Sequence, residues 1–293
     1  MLLLFSLQAL AQSPKSDAPP ATAATFDTRI KKEIAGFKGK VYLFAKNLDT
    51  GAVYNFNGDE KVRTASSIKT AIMVEAFARV AEGKAKWSDE MILTNAKKVS
   101  GSGILQELSD GLKLSLRDAV NLMMILSDNT ATNLVLDVLT ADAVNARMDS
   151  MGLKNTRALR KIGGGGESAA GKEADNKQYG LGVTTPHEMV TLMEKLESGQ
   201  IISKEISKEM LELMKREQGH NGIGRTLNNV SMATKSGALD ALRSNVGIIY
   251  SKRGKIAMAI TCDNMPEIDW TADNAGYYML SRLSQLLIDG MGK

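Results

Sequence analysis

The sequence predicts an α+β fold. One antiparallel sheet is flanked by helices from the two ends of the chain, and an all-α region is inserted in the middle. Three observations predict it. Strand signals cluster at the two ends, at Lys40–Leu48, Val53–Phe56 and from Val230 onward. Apolar residues recur mainly at helical spacing from Ser66 to about Ser198. The 293 residues, 43% hydrophobic and 24% charged, suffice for one large or two modest domains with a real core.

The elements follow in order. Met1–Ala11 is an apolar run ending in Ala9-Leu10-Ala11, the pattern of a secretory signal peptide without its basic start. No cysteine follows the expected cleavage point, so no lipid anchor is expected, and no other stretch is apolar and long enough to span a bilayer. Residues 12–25, rich in Ser, Pro and Ala, read as a disordered linker. Residues 26–60 and 205–293 are expected to form the α/β domain and 61–204 the all-α domain. Phe26–Phe37 has helical spacing, and Asp49-Thr50-Gly51 turns Lys40–Leu48 into Val53–Phe56. Helical runs follow at Ile68–Val80, Leu114–Leu126, Ala131–Leu139 and Lys204–Glu217. Val230–Thr234 reads as a strand. Val246–Tyr250 and Ile256–Cys262 form a hairpin across Lys252-Arg253-Gly254, and Asn274–Ile288 is a closing amphipathic helix. Met123, Met124, Met189, Met193, Met210 and Met214 fall at core spacing, and Cys262 reads as a buried strand residue.

Composition excludes several functions. A net charge of +4 with no basic block argues against nucleic acid as a partner. The two histidines, His187 and His220, lie in no metal-like cluster, which disfavours a zinc hydrolase or a Ser-His-Asp triad. Gly166 to Lys172 has the spacing of a phosphate-binding loop. However, Glu173 stands where a Mg²⁺-binding hydroxyl is needed, and no strand precedes it. No metal or cofactor is expected.

The chemistry sits in three short motifs. Ser66 and Lys69 open an apolar helix three residues apart, which places hydroxyl and amine on one face. A buried lysine loses its proton readily and can activate a serine, and a helix N-terminus offers N–H groups to an oxyanion. Ser127-Asp128-Asn129 falls between two helical runs, and Lys235-Ser236-Gly237 ends the strand that starts at Val230. In this order the motifs resemble those of class A β-lactamases and penicillin-binding proteins. The resemblance spans roughly Phe26 to the C-terminus.

The resemblance implies the roles. Ser66 is the nucleophile and Lys69 its base or proton relay. Ser127 protonates the leaving nitrogen, Asp128 holds the loop, and Asn129 bonds the substrate amide. Lys235, Ser236 and Gly237 bind the substrate, the first two through its carboxylate. The N–H of Ala238 joins that of Ser66 in an oxyanion hole, and Arg243 is a second carboxylate ligand although its spacing is one residue short. Class A enzymes also use a loop glutamate to activate water. With Arg157 and Arg160 matching the arginines of that loop, Ile162 falls on the glutamate position, and the aspartate paired with the second arginine falls near Gly182. Glu167, after four glycines, is the alternative water-activating carboxylate. The expected activity is a secreted or periplasmic monomeric serine β-lactamase acting through an acyl-enzyme at Ser66. The alternatives are a D,D-peptidase that releases β-lactams slowly, or an esterase on the same scaffold. The substrate is thus a β-lactam or a peptidoglycan stem peptide, with no stable membrane insertion after signal cleavage.

Overall fold

The computed structural model describes residues 21–292. The signal-peptide reading of residues 1–11 and the linker reading of 12–20 lie outside the described residues. In chain order the elements begin with α1 (Ala21–Ala35), β1 (Lys40–Asn47), β2 (Val53–Phe56), β3 (Val62–Arg63) and α2 (Lys69–Ala81). The middle holds β4 (Glu90–Ile92), β5 (Lys113–Ser115), α3 (Leu116–Ile125), α4 (Asn129–Leu139), α5 (Ala141–Ser150), β6 (Arg157–Ala158), α6 (Ala169–Lys172) and β7 (Gly182–Thr184). The chain closes with α7 (Pro186–Glu197), α8 (Lys204–Met214), β8 (Ser231–Leu239), β9 (Leu242–Ser251), β10 (Gly254–Asp263) and α9 (Ala275–Met291).

The main sheet has the order β2-β1-β10-β9-β8 and is antiparallel throughout. Alternation along its strands feeds two cores. Val41, Leu43, Ala45, Ile256, Met258 and Ile260 pack with Ile30 of α1 and Leu280, Leu283 and Leu287 of α9. Phe44, Val246, Ile248, Ala257 and Ala259 join the helical core on the other side, where α7 meets β1 and β10. The predicted core methionines are all buried there. Each fully buried Leu, Ile or Met side chain contributes roughly 1.5–3 kcal/mol. Cys262 is fully buried in β10, and burial pushes its thiol pKa up.

Three expectations need correction. The helix α1 starts at Ala21, inside the predicted linker, because its alanine-rich start favours helix. The middle region is not purely helical: β3-β7-β6 and β4-β5 form two small sheets within it. Strand β8 does not end at Thr234. Its pairing with β9 continues through Ser236↔Asn245 to Leu239↔Leu242, closed by the two-residue turn Asp240-Ala241. Lys235-Ser236-Gly237 therefore lies within a strand at the edge of the sheet.

Candidate active site

A cavity of about 810 Å³ lies between the helical region and the edge strand β8. Ser66, Ser127, Asn129, Ser236, Gly237 and Ala238 all line it, so parts of all three motifs meet there. A second cavity of about 790 Å³, between α1, α9 and the segment after β10, gathers none of the motif residues.

Ser66 sits in a single 3₁₀ turn, Ala65–Ile68, that leads into α2. Ala65 has φ 46°, and a non-glycine residue held there costs on the order of 1–3 kcal/mol. The packing of Ile68, Ala71 and Ile72, each fully buried, holds this turn against the core. Gly237 brings β8 up to it. A Cβ at Gly237 would stand 2.8 Å from Thr64 O and 3.0 Å from Ser66 N, so any side chain there would push the strand away from Ser66.

Lys69 is fully buried. Its Nζ donates to Ser127 O at 2.7 Å, Asn129 Oδ1 at 3.0 Å and Ser127 Oγ at 3.1 Å. These bonds run across the groove rather than back to the Ser66 hydroxyl. Burial, and then the charge of Lys235, hold the amine well below the usual lysine pKa, against the opposing pull of Asp128 and Glu217. Three acceptors match an ammonium. A neutral amine keeps only two protons, so on deprotonation the Ser127 hydroxyl must turn and donate to Nζ.

The Ser127-Asp128-Asn129 turn is fixed by its middle residue. Asp128 Oδ1 accepts from Ala131 N at 2.8 Å and caps α4, while Oδ2 accepts from Ile104 N at 2.7 Å and Leu105 N at 2.9 Å. Gly103 makes that approach possible, since a Cβ there would fall 2.2 Å from the carboxylate. Ser127 takes φ 54°, which turns it into the cavity. The Asn129 amide is committed on both sides, accepting from Lys69 and donating to Ser100 O at 2.9 Å.

On β8, Lys235 is fully buried and does not line the cavity. It is paired with Glu217, a residue with no assigned role in the sequence reading. Glu217 Oε1 accepts from Lys235 Nζ, Ser236 N and Ser236 Oγ, each at 2.6 Å, and Oε2 accepts from Thr234 Oγ1 at 2.7 Å. Burial opposes ionisation of this carboxyl. The charge of Lys235 and the hydrogen bonds from Lys235 and Ser236 overcome it and hold the pKa below the usual range.

Arg243 does not reach the groove. It is fully buried, donates to the carbonyls of Leu239, Leu242 and Asp269, and lies 4.8 Å from the Trp270 ring and 5.0 Å from the Tyr277 ring. The tight turn sets it opposite Ala238, beside Trp270 and Tyr277, two of the aromatic residues that line the cavity. Glu167 is also outside the cavity; it is exposed and pairs with Lys177 at 3.1 Å. The glycine run that precedes it, Gly163–Gly166, carries it away, all four at positive φ.

Ile162 lines the cavity instead. Asn133 clamps its backbone, accepting from Ile162 N and donating to Ile162 O, each at 2.9 Å. Asn133 lies one helical turn beyond Asn129, a spacing that could have marked it in the sequence. Among the described residues no aspartate, glutamate or histidine lines the cavity. Of its three basic residues, Arg63 pairs with Asp263 and Lys161 with Asp137. Arg160 meets no carboxylate among the described residues, and Gly182 stands where its partner was expected.

These features have relatives. The sequence matches the Beta-lactamase enzyme family over residues 25–291, so the chain belongs to that family. It is a class A β-lactamase-like serine hydrolase. It is 24% identical over 225 residues to β-lactamase AER-1 of Aeromonas hydrophila, covering 75% of this chain and 72% of that protein. A solved β-lactamase of Sphaerobacter thermophilus DSM 20745 superposes with a TM-score of 0.78 at 28% identity, over 92% of this chain and 97% of its own. PBP-A superposes with a TM-score of 0.79 at 23% identity, over 91% and 96%. A mutant of PBP-A, solved as an acyl-enzyme complex with penicillin G, gives 0.78.

Proposed function

We propose that this chain is an exported serine hydrolase of the penicillin-binding type, acylated at Ser66 and slow to release a β-lactam. The observation that carries this reading is Ile162. It lines the cavity, held by Asn133, at the position where the family resemblance puts the water-activating glutamate, and among the described residues no carboxylate lines the cavity. Export is supported by the Met1–Ala11 pattern.

In the acylation step, neutral Lys69 takes the Ser66 proton, directly or through Ser127, as Oγ attacks the carbonyl carbon. The N–H groups of Ser66 and Ala238 receive the oxyanion. Ser127 then gives its proton to the leaving atom and is reprotonated from Lys69. Hydrolysis of the resulting ester needs a base beside the incoming water. With no carboxylate or histidine on the cavity wall among the described residues, that base is Lys69, and its lone pair must first be freed from Ser127. A general base is worth about 10²–10⁴ in rate, which sets the scale of the slowing.

The test is the intact mass of the protein over time with millimolar penicillin G. A single adduct that persists for many minutes supports the reading. An adduct that decays within seconds while hydrolysed penicillin accumulates overturns it in favour of an efficient β-lactamase.

A further inference from the structure

We infer that Arg160 is a specificity-determining residue of this groove. It receives a carboxylate carried on the acyl half of the substrate, so the groove favours acyl donors with an acidic acyl group over neutral ones of the same shape. This carboxylate is additional to the one on the leaving side. The inference rests on the acylation of Ser66 proposed above and specifies its substrate class.

Three observations carry it. First, Arg160 lines the cavity, and its guanidinium makes no ion pair or hydrogen bond to any described residue. The other two cavity cations are matched, Arg63 by Asp263 and Lys161 by Asp137. Second, the fork is bare on both flanks. Nη1 faces Gly164 and Nη2 faces Gly180, where a Cβ would stand 3.9 Å away in each case. Both glycines take positive φ, 109° and 70°, a conformation that side-chain-bearing residues rarely adopt, so neither flank is covered. Third, no carboxylate lines the cavity among the described residues, and Ile162 stands where the resemblance puts a glutamate. No acidic side chain on the cavity wall therefore competes for the guanidinium, and a planar fork takes a ligand carboxylate through two parallel N–H···O bonds. The direction follows from the proposed roles. The resemblance gives the leaving-side carboxylate to Ser236 on β8 and the acyl amide to Asn129. Acyl and leaving groups lie on opposite sides of the scissile carbonyl. The acyl side chain therefore runs away from β8, toward the wall formed by residues 160–163 and 178–181, where Arg160 stands.

Two pairs of penicillins test this, the members of each pair differing by one carboxylate on the acyl group. Carbenicillin, with a phenylmalonyl group, is set against penicillin G, with phenylacetyl. The adipyl derivative of 6-aminopenicillanic acid is set against the hexanoyl one. In each case Ser66 Oγ forms the ester as the ring carbon–nitrogen bond breaks, and the ring nitrogen takes its proton through Ser127. The readout is the second-order rate of acylation at low salt, which does not depend on how fast the adduct is later lost. The two pairs hold the carboxylate at different reach from the amide. The full chain should prefer the acidic member of at least one pair by about threefold or more. That preference should shrink as salt rises, because a half-exposed pair is screened. Arg160→Gln should remove it, and Arg160→Lys, which keeps the charge and loses the fork, should keep part of it. No preference for the acidic member of either pair overturns the inference, even if neither variant folds. So does a preference that a folded Arg160→Gln leaves unchanged. Failure of every penicillin to label Ser66 would instead defeat the acylation reading itself, and this inference with it.

Discussion

The two walls of the groove differ in how fully their charges are matched. On the β8 wall, Lys235 and Glu217 are both buried, and every oxygen of the carboxylate is occupied. On the facing wall, Arg160 has no carboxylate partner among the described residues, and Gly163–Gly166 runs beside it at positive φ. The contrast shows which wall is set in advance. Breaking a buried, hydrogen-bonded pair is expensive, so the β8 wall keeps its shape as a ligand enters. The glycine-rich wall has a half-exposed cation and a backbone with wide conformational freedom, so it adapts to the ligand.

The largest effects should come from the chemistry both walls serve. Ser66→Ala should abolish labelling by a fluorescent penicillin with the fold intact; surviving label would remove Ser66 as nucleophile. Lys69→Ala should slow labelling by at least about 10²-fold. The walls themselves are compared by removing one cation from each. Lys235→Ala strands Glu217 without its partner and should cost about 3–5 kcal/mol of stability. Arg160→Ala should stay within about 0.5 kcal/mol, as a surface change does. Denaturant unfolding of the two variants decides it, and equal losses would erase the contrast.

A smaller effect concerns pH. In the proposed acylation the neutral form of Lys69 is the base, so the rate should rise with pH as the amine loses its proton. Burial and the Lys235 charge lower that pKa from 10.5, so the plateau should be reached well below pH 10.5. Glu217 favours the protonated amine. Glu217→Gln should therefore move the rising limb to lower pH, and a shift to higher pH would contradict the electrostatic account. The smallest effect should be that of Glu167→Gln. An exposed carboxylate paired with Lys177 outside the cavity should leave the lifetime of the penicillin adduct unchanged.

What could be read from the sequence follows from range. Ser66 and Lys69, Ser127 to Asn129, and Lys235 to Gly237 are local patterns, and local spacing on a helix or strand is visible in one dimension. Most of the elements were legible for the same reason. The Lys235–Glu217 pair was not, because it joins the loop after α8 to a strand residue 18 positions on, and no periodicity marks it. Arg243 was misplaced because one residue in the β8–β9 turn decides which way its side chain faces. Glu167 was misplaced because a run of four glycines leaves the direction of a loop open. Ile162 was placed by counting from the arginines, but its hold by Asn133 appears only in three dimensions.

The central claim is that the groove forms an acyl-enzyme and lacks a carboxylate to hydrolyse it. The most direct test is the lifetime of the penicillin G adduct, followed by intact mass, in the unaltered chain and in Ile162→Glu. Asn133 holds position 162 by its backbone, so the new side chain should project into the same cavity and activate water. The account predicts a long-lived adduct that Ile162→Glu shortens by about 10²-fold or more. A lifetime of seconds in the unaltered chain, or one that a folded Ile162→Glu leaves unchanged, would contradict it.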